Sequence, residues 1–439
     1  MILQREQLTA MAASALPAMI VGIHALWSQP APDTITLPET MIGLCLLVLV
    51  GGRAAMLCVS GAMLADQHHV WWVRLGGAAF LLLFWLGLIR GMMAGWPATD
   101  MLRDIIPLGF LFLAVLVPVE RLQSVRPAML AALFALAGTA FACRFLMGTD
   151  LPLVLWGRVT HPLGLDYLAN SPLVSFGACY GLLLGLAIAL RLVEMPGRFR
   201  AIACSVTMIA AAVPCWMAMA TAAQRAPLGL CLLAVLAGYA LLVRLACHRG
   251  QRAMLRLIVV SAGLLLILLI NTDTVLAIMP ALVEKSRLVG DNARLDEWAA
   301  IWSDIVWRLD DLFLGQGWGA HYASPAVGDY WVGYVHGLGG YMLLKAGLLG
   351  LLCLLCYLVA TLAAAFRGWR IGDAGIRLVL VACLPPLLTG LLFYTSYKYL
   401  GYGLLLLLVW RCAFSAVRAM PLALALPPRA DLPLPAGSS

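Results

Sequence analysis

The sequence predicts an all-α protein that crosses a membrane about twelve times as helices. Of its 439 residues, 63% are hydrophobic and only 11% are charged, whereas soluble domains carry roughly 25% charged residues. Apolar windows of about 20 residues, long enough to cross a bilayer as a helix, recur along the chain. These two observations together indicate an integral membrane protein with many spanning helices.

The predicted spans follow these windows, with boundaries good to several residues. They lie near 8–28, 41–61, 74–95, 105–119, 127–147, 171–193, 200–222, 226–246, 256–276, 337–365, 376–396 and 399–417. The first window resembles a signal peptide in length, but its flank MILQREQ is only weakly basic and no convincing small-residue cleavage site follows. Segment 8–28 is therefore predicted to be the first span.

The spacing of the windows divides the chain into four parts. Residues 1–278 hold about nine spans, and residues 337–418 hold about three more. Between them lies one long connection, 279–336, while the other connections are too short to fold alone. Residues 419–439 are proline-rich and are predicted to form a disordered tail.

Orientation follows from the basic residues of alternate short connections, because cytoplasmic loops are enriched in Lys and Arg. The enriched set is Arg121, Arg126, Arg191, Arg198, Arg200, Arg244, Arg249, Arg252, Arg256, Arg367, Arg370, Arg377, Arg411, Arg418 and Arg429. The connection 29–40 has no Lys or Arg. Both termini are therefore predicted to be cytoplasmic, with 279–336 outside. The net charge of +8 is mainly this signal, so nucleic acid is not an expected partner.

The long outer connection carries a helical pattern. One apolar stripe recurs at steps of three and four residues: Leu295, Trp298, Trp302, Ile305 and Leu309. A helix with Trp on its apolar face is typical of one that lies on the bilayer or packs over the mouth of a bundle. The Gly-rich turn GQGWGAHYASP ends it, and a second outer loop, 149–170, is expected to help cover a cavity.

Cationic residues gather near the outer side, where the positive-inside rule predicts few. They are Arg90, Arg144, Arg225, Arg287, Arg294, Lys345 and Lys398. For any one of them, snorkelling or pairing with an acid of the long loop is as good an explanation as a ligand. As a group they are not explained in this way, because the spans holding Arg90, Arg144 and Lys345 contain almost no carboxylate. The surplus predicts an anionic ligand, and Arg suits phosphate oxygens.

A histidine stands at the same mouth. His336 precedes the apolar run GLGGYMLLKAGLLG, and an unperturbed imidazole is mostly neutral at pH 7, as a general base requires. Outside the cytoplasmic membrane of a bacterium, the usual activated sugars are polyprenyl-diphosphate lipids. Glycosyl transfer from such a lipid requires that the acceptor hydroxyl is deprotonated and that the leaving diphosphate is stabilised. A histidine beside several arginines can do both. His321, on the same side, is the reserve base.

Metal and cofactor chemistry is not expected. The sequence holds no H-E-x-x-H motif, no clustered carboxylate pair and no Gly-rich phosphate loop. Cys353 and Cys356 form a C-x-x-C, but it lies inside the apolar run LLCLLCYL, where a buried helix is the better interpretation. No cofactor and no metal site are therefore predicted.

The outer loop resembles the O-antigen ligase and polymerase superfamily. The shared pattern is RLDEWAAIWSDIVWRLDDLFLGQGWG (294–319), then a histidine, then YMLLKAGLLGLL. It matches Arg294, Trp298, Gly315, Gly317 and His336, and QRAPLGL carries the family arginine onto Arg225. About 70 residues are covered closely; the other spans match only in number and topology. The sequence departs at Gly337, where the family usually has Asn, and at Gln224, where it usually has Ser.

The resemblance implies a metal-independent, inverting glycosyltransferase of the bacterial inner membrane. Its donor would be an undecaprenyl-diphosphate glycan, with the matched histidine as base, the matched arginines on the diphosphate and the site facing the periplasm. The acceptor stays open: a lipid A-core terminus for a ligase, another lipid-linked repeat for a polymerase, or a protein hydroxyl for protein O-glycosylation. One dominant outer loop favours the ligase.

A secondary transporter is the alternative from another class. Transporters also have about twelve spans, and they show interrupted helices, ionisable residues at mid-depth and internal repeats. Arg53, near mid-depth of the second predicted span, favours that alternative. Against it, the two halves show no evident hydropathy repeat, and the charges lie toward one interface.

Overall fold

The computed structural model describes residues 2–30, 35–52, 59–60, 70–118, 125–148, 166–191, 198–270, 280 and 293–424. Within these ranges, seven helices are long and apolar enough to cross a membrane. The described secondary structure is otherwise helical apart from one short hairpin. The chain is therefore an all-α polytopic membrane protein, as the composition predicts.

The elements follow the chain in a simple order. The helices are α1 (Ile2–Trp27), α2 (Leu37–Val50), α3 (Trp71–Ala94), α4 (Ala98–Leu111), α5 (Leu113–Leu116), α6 (Pro127–Leu146), α7 (Asp166–Ala169), α8 (Pro172–Arg191), α9 (Arg198–Thr221), α10 (Arg225–Arg249), α11 (Gln251–Ile270), α12 (Ala293–Ile305), α13 (Leu309–Leu314), α14 (Leu338–Ile371), α15 (Ala374–Leu392) and α16 (Leu400–Leu424). Strands β1 (Tyr322–Ser324) and β2 (Tyr330–Val332) form the antiparallel hairpin, with Tyr322 opposite Val332.

The seven long helices are α3, α6, α8, α9, α10, α14 and α15, and each overlaps one predicted span. Shorter apolar helices, Ala15–Trp27, Leu37–Val50 and Leu400–Phe414, fall in the first, second and last predicted spans. Helix α11 covers part of the span predicted at 256–276, whose end lies outside the described residues. Helix α16 continues to Leu424, beyond the predicted boundary at 418.

The prediction of one continuous span over 105–119 is wrong. This region forms α4 and the short α5, which meet at Phe112. Helix α4 begins earlier than predicted, at Ala98 after Pro97, and it carries Asp104 at a buried position. Polar contacts of that carboxylate, described below, place α4 against the rest of the protein, which hydropathy does not show.

Small residues let α8 pack at the centre of the bundle, as the most buried of the seven long helices. Gly177, Gly181 and Gly185 recur every four residues along it. A Cβ at Gly181 would lie 3.0 Å from the Met208 carbonyl oxygen of α9, and one at Gly177 would lie 2.9 Å from the Ala135 carbonyl oxygen of α6. Close backbone approach through small residues is the usual way in which helices associate in membranes.

The predicted amphipathic helix of the long loop is two helices, α12 and α13, and its buried face differs from the prediction. Leu295, Trp302 and Leu309 are 71%, 48% and 73% exposed. The buried side of α12 is formed by Glu297, Ile301 and Ile305, each 0% exposed, and of these Ile305 belongs to the predicted stripe. The exposed members of the stripe lie on the outer side of the helix, as contact with a bilayer, the other predicted role, requires.

The longest helix, α14, is interrupted, and another part of the chain fills the interruption. Gly347 takes φ 63° and ψ −155°, which is not helical. Residues 315–319, the glycine loop, lie between α14 and α3. The backbone N–H of Gln316 donates to the Leu344 oxygen at 2.9 Å, that of Gly317 to the Lys345 oxygen at 2.9 Å, and that of Trp318 to the Gly87 oxygen at 2.9 Å.

Glycine is required in this loop for both space and conformation. Gly315 and Gly317 have φ 70° and 88°, a region that L side chains rarely adopt. A Cβ on Gly317 would lie 2.2 Å from the Gly91 nitrogen of α3. The loop therefore fixes α3 against α14 by backbone contact, and the indole of Trp318 is fully buried beside it.

Replacing Gly317 with alanine tests this packing. Gly317→Ala should lower the unfolding midpoint of the purified protein in detergent strongly, because it adds a backbone clash to the positive-φ strain. The matched control is Gly95→Ala: Gly95 has φ 76° with no atom within 4 Å of its Cβ position, so it carries only strain of about 1–2 kcal/mol. Equal midpoints for the two variants would contradict the close approach.

Candidate functional site

His336 lies immediately before α14, and a carboxylate holds its ring. Its Nδ1 is 3.0 Å from Oε1 and 3.1 Å from Oε2 of Glu297, on α12. The backbone N–H of His336 also donates to Glu297 Oε2 at 3.1 Å. The side chain of His336 is 28% exposed, whereas that of Glu297 is 0% exposed. A buried acid thus orients an accessible imidazole.

The Glu297 carboxylate is fully surrounded by donors. The Tyr322 hydroxyl donates to its Oε1 at 2.7 Å, and the Ser324 hydroxyl donates to the same atom at 2.8 Å. Burial alone raises the pKa of this carboxyl, but the hydrogen bond and charge of His336, with the two hydroxyls, outweigh it and hold the pKa below its ordinary value. Glu297 is therefore an ionised acceptor at neutral pH.

This arrangement sets the chemistry of the imidazole. A carboxylate at Nδ1 accepts a hydrogen bond from that nitrogen, so the neutral ring carries its hydrogen on Nδ1. Nε2, on the opposite edge of the ring, is then the unprotonated nitrogen and can accept a proton from a substrate hydroxyl. A histidine so held by a carboxylate is the arrangement that general bases use in acyl-transfer enzymes.

Two of the predicted arginines lie close to the turn that follows α15. Nε of Arg294, one turn before Glu297 on α12, donates to the Phe393 oxygen at 3.0 Å, at the end of α15. Its guanidinium lies 5.7 Å from the centre of the Tyr394 ring. Arg225, the first residue of α10, is also within electrostatic range of the Tyr394 hydroxyl. Both arginines are exposed.

Gly337, the residue after His336, approaches the same turn at the end of α15. Gly337 has φ 103°, and a Cβ there would lie 3.2 Å from the Leu392 oxygen, the last residue of α15. An asparagine, which the resembling family usually has, would meet that carbonyl. Gly337, Arg294 and Arg225 thus all lie close to the 392–394 turn, and together with His336 they form what we call the arginine–histidine site.

Arg90 does not join this site, contrary to prediction. Its Nε donates to the Gly315 oxygen at 3.1 Å, and its Nη1 donates to Asp310 at 3.2 Å. Nη2 donates to Asp311 as well. The guanidinium ties α3 to α13 and to the glycine loop, so its charge is neutralised by carboxylates that lie 220 residues away in sequence.

Lys345 and Lys398 do not join it either, because both bind a carboxylate that the sequence analysis missed. Nζ of Lys345 lies 2.6 Å from Oδ2 of Asp104, and Nζ of Lys398 lies 3.2 Å from Oδ1. The Tyr341 hydroxyl and the Gly319 N–H also donate to Asp104, each at 2.8 Å. An acid beside an apolar window is a signal of a buried polar network, and Asp104 stands directly before the window predicted at 105–119.

Arg144 caps a helix instead. Its Nη1 donates to the Ala25 and Ser28 oxygens, each at 2.8 Å, at the C-terminal end of α1. Free carbonyls at a helix end attract a cation. The expectation that Arg90, Arg144, Lys345 and Lys398 form one anion-binding basin is therefore wrong: Arg90 and Arg144 serve separate contacts between helices, and Lys345 and Lys398 share the Asp104 carboxylate.

The remaining predicted residues are placed as follows. Arg287 lies outside the described residues. His321, the reserve base, packs against Trp96 with 5.9 Å between ring centres and stands just before β1. Among the residues that the structure describes, no three His, Cys, Asp or Glu side chains are grouped so that they could hold a metal ion.

Comparison of the chain with models of known protein families gives no match, and comparison with curated proteins finds no similar sequence. The chemistry of the arginine–histidine site is therefore argued from its own residues.

Removing the Asp104 carboxylate should destabilise the protein sharply. Asp104→Asn leaves two buried ammonium groups without their counter-charge, which costs about 3–5 kcal/mol, measured by denaturant unfolding in micelles. Adding Lys345→Met should restore part of the loss. The control is Asp100→Asn on the same helix, whose partner Arg103 is exposed at 3.8 Å and whose loss costs at most about 1 kcal/mol. Equal effects at 104 and 100 would contradict the network.

The contribution of Glu297 to stability should depend on pH. Its pKa is lower in the folded state than its ordinary value of 4.5, so its stabilisation is present above that value and is lost as the pH falls through the folded-state pKa. The unfolding midpoint of the wild type should exceed that of Glu297→Gln at pH 7, and the gap should shrink below pH 4.5. Asp296→Asn, at an exposed neighbouring position, should follow the wild type. A gap independent of pH would refute the ionised carboxylate.

Proposed function

We propose that this protein is a glycosyltransferase of the O-antigen ligase type. In this proposal it transfers a glycan from undecaprenyl diphosphate to a sugar hydroxyl of an acceptor such as lipid A-core. The observation that carries the proposal is the His336–Glu297 pair, a base oriented by a buried carboxylate, beside two exposed arginines. The earlier resemblance in residues 294–319 supports the same class.

The proposal includes a membrane topology. About twelve spans, with both termini in the cytoplasm of a bacterial inner membrane, place residues 279–336 and the arginine–histidine site in the periplasm. The exposed aromatic side chains of this segment, among them Trp302, Trp307 and Trp331, suit the interface between lipid and water. A lipid-linked diphosphate would then lie at the level of the 392–394 turn.

The proposed reaction uses the site in one displacement. The acceptor hydroxyl gives its proton to Nε2 of His336, while its oxygen forms a bond to the anomeric carbon of the donor sugar. The bond from that carbon to the diphosphate oxygen breaks, and its electron pair leaves with the diphosphate. Glu297 stabilises the imidazolium that forms, and Arg225 and Arg294 neutralise the leaving charge. Attack from the face opposite the leaving group inverts the anomeric centre.

The interruption of α14 bears on the transporter alternative. Broken helices in transporters expose backbone groups to a substrate cavity at mid-depth. Here the Leu344 and Lys345 carbonyls at the break are bonded by the glycine loop. The break therefore serves packing within the chain, and this favours the enzyme over the transporter. Arg53, the residue that favoured transport, lies outside the described residues.

A transfer assay tests the proposal. Purified protein is mixed with undecaprenyl-diphosphate glycan and a lipid A-core acceptor, with EDTA present. His336→Ala should lower kcat by about 10²–10⁴-fold, the usual contribution of a general base. Arg225→Ala and Arg294→Ala should raise the KM for the donor about tenfold or more, since each removes a charged contact. The matched control is Arg103→Ala, at an exposed arginine of α4.

Each result has a clear reading. Full activity of His336→Ala would remove the proposed base, and loss in His321→Ala alone would move that role to His321. Loss of all activity on adding EDTA would refute the metal-independent mechanism. An unchanged donor KM in both arginine variants would contradict the diphosphate assignment. Transfer to a lipid-linked repeat or to a protein in place of lipid A-core would identify a polymerase or a protein glycosyltransferase.

A further inference from the structure

A narrow cleft opens beside the arginine–histidine site, between the N-terminal part of α8, the start of α10 and the end of α15. Its polar lining comes from Asn170, Ser175, Gln224, Thr389, Tyr394 and Ser396, and three proline rings complete the walls. The described lining side chains are all uncharged. The cleft has room for little more than one water-sized group, so a hydroxyl fits it, whereas an acetamido group or a whole sugar ring does not.

Thr389 gives this cleft an unused hydrogen-bonding group. Its side chain is only 6% exposed, and its Oγ1 has no hydrogen-bond partner in the described part of the chain. A helical threonine ordinarily returns its hydroxyl to the carbonyl four residues earlier, as Thr361 does to the Tyr357 oxygen at 2.9 Å. A buried hydroxyl without a partner is unfavourable and indicates a ligand or a water.

An amide pair faces the same space. Gln224 is 2% exposed, and its Nε2 donates to Oδ1 of Asn170 at 2.7 Å. This bond fixes both carboxamides, each of which has a donor and an acceptor end. The turn that presents Gln224 is constrained, because Ala223 before it holds a positive φ of 50°, a conformation uncommon outside glycine. The residue that departs from the family pattern therefore lines the cleft.

The chemistry of the cleft selects its ligand. Neutral donors and acceptors suit a hydroxyl better than a phosphate, for which charged arginines are the usual partners. The proline rings suit the C–H surface next to such a hydroxyl. Arg225 follows Gln224 directly in the chain, and Tyr394 belongs to both places. A ligand with a diphosphate at Arg225 and a neutral polar group next to that diphosphate would occupy both the arginine–histidine site and the cleft.

We propose that this cleft binds a hydroxyl substituent of the sugar that is attached directly to the donor diphosphate, with Thr389 as a hydrogen-bonding partner. The assignment rests on the proposed function, because it takes the diphosphate to lie at Arg225 and Arg294. It adds a specificity site: the cleft would select donors by the first sugar of the glycan.

Binding of two lipids to the purified full-length protein separates the sugar from the diphosphate. The probes are undecaprenyl-diphosphate N-acetylglucosamine and undecaprenyl diphosphate without a sugar. Thr389→Val keeps the shape of the side chain and removes the hydroxyl. It should raise the Kd of the sugar-bearing lipid about tenfold, the effect of one hydrogen bond, and leave the Kd of the sugar-free lipid unchanged.

Controls separate binding from folding. Thr389→Val removes no hydrogen bond of the described structure, so its unfolding midpoint should equal or exceed that of the wild type. Thr389→Ser, which keeps the hydroxyl, should bind both lipids as the wild type does. The matched variant Thr361→Val, in α14, should leave both Kd values unchanged although it loses two hydrogen bonds within the protein, one to the Tyr357 oxygen and one from the Trp410 indole.

Three results would overturn the assignment. Equal weakening for both lipids would mean that Thr389 acts on the diphosphate. No weakening for either would mean that the cleft holds only a water. Failure of the wild type to bind either lipid would refute the proposed function itself. That result is distinct from one in which the wild type binds both lipids and Thr389→Val binds them equally well, which would refute only the assignment of the cleft.

Discussion

Backbone groups in apolar surroundings must find hydrogen-bond partners within the protein, and this constraint organises the structure around α14. The helix breaks at Gly347, which leaves carbonyls near the break without helical partners. The glycine loop supplies N–H groups to the Leu344 and Lys345 oxygens, and Trp318 completes the connection to Gly87 of α3. Because the loop is held at this point, the hairpin and His336, which follow it, have a fixed starting position.

A second layer of polar contacts secures the same region. Asp104 accepts from the Gly319 N–H at the end of the glycine loop and from Lys345 within α14. One carboxylate between two ammonium groups leaves an excess positive charge, and Lys398, with 18% of its side chain exposed, is the member that water can reach. Such a buried network is costly to break. Its cations therefore contribute to contacts between elements of the protein.

Separation of these two roles changes the interpretation of the cationic surplus. Arg90, Lys345 and Lys398 are paired with carboxylates and Arg144 with carbonyls of α1, whereas Arg225 and Arg294 are exposed and lie close to the 392–394 turn. The proposed diphosphate site is therefore smaller than the sequence suggested. It is also better defined, because the neutral cleft at Thr389 adjoins it.

The amino-acid sequence alone predicts a polytopic membrane protein and the position of most of its helices, and it singles out His336 as the candidate base. Hydropathy is a local property, and a window of apolar residues predicts a spanning helix without knowledge of its neighbours. His336 is singled out in the same way, from its place before an apolar run with glycine around it. Periodicity shows which residues are apolar, not which face meets the protein: in α12 the charged Glu297 is buried, whereas Trp302 of the predicted stripe is 48% exposed.

The hydrogen-bond and ion-pair partners of these side chains depend on the tertiary structure. Asp104 and Lys345 are separated by 241 positions in the numbering, and Glu297 and His336 by 39, so neither pair follows from local spacing. The unpaired hydroxyl of Thr389 and the Gln224–Asn170 bond are visible only when α8, α10 and α15 are brought together. The sequence gives the charge of each side chain. Whether another group of the protein neutralises that charge depends on contacts between segments that are distant in the sequence.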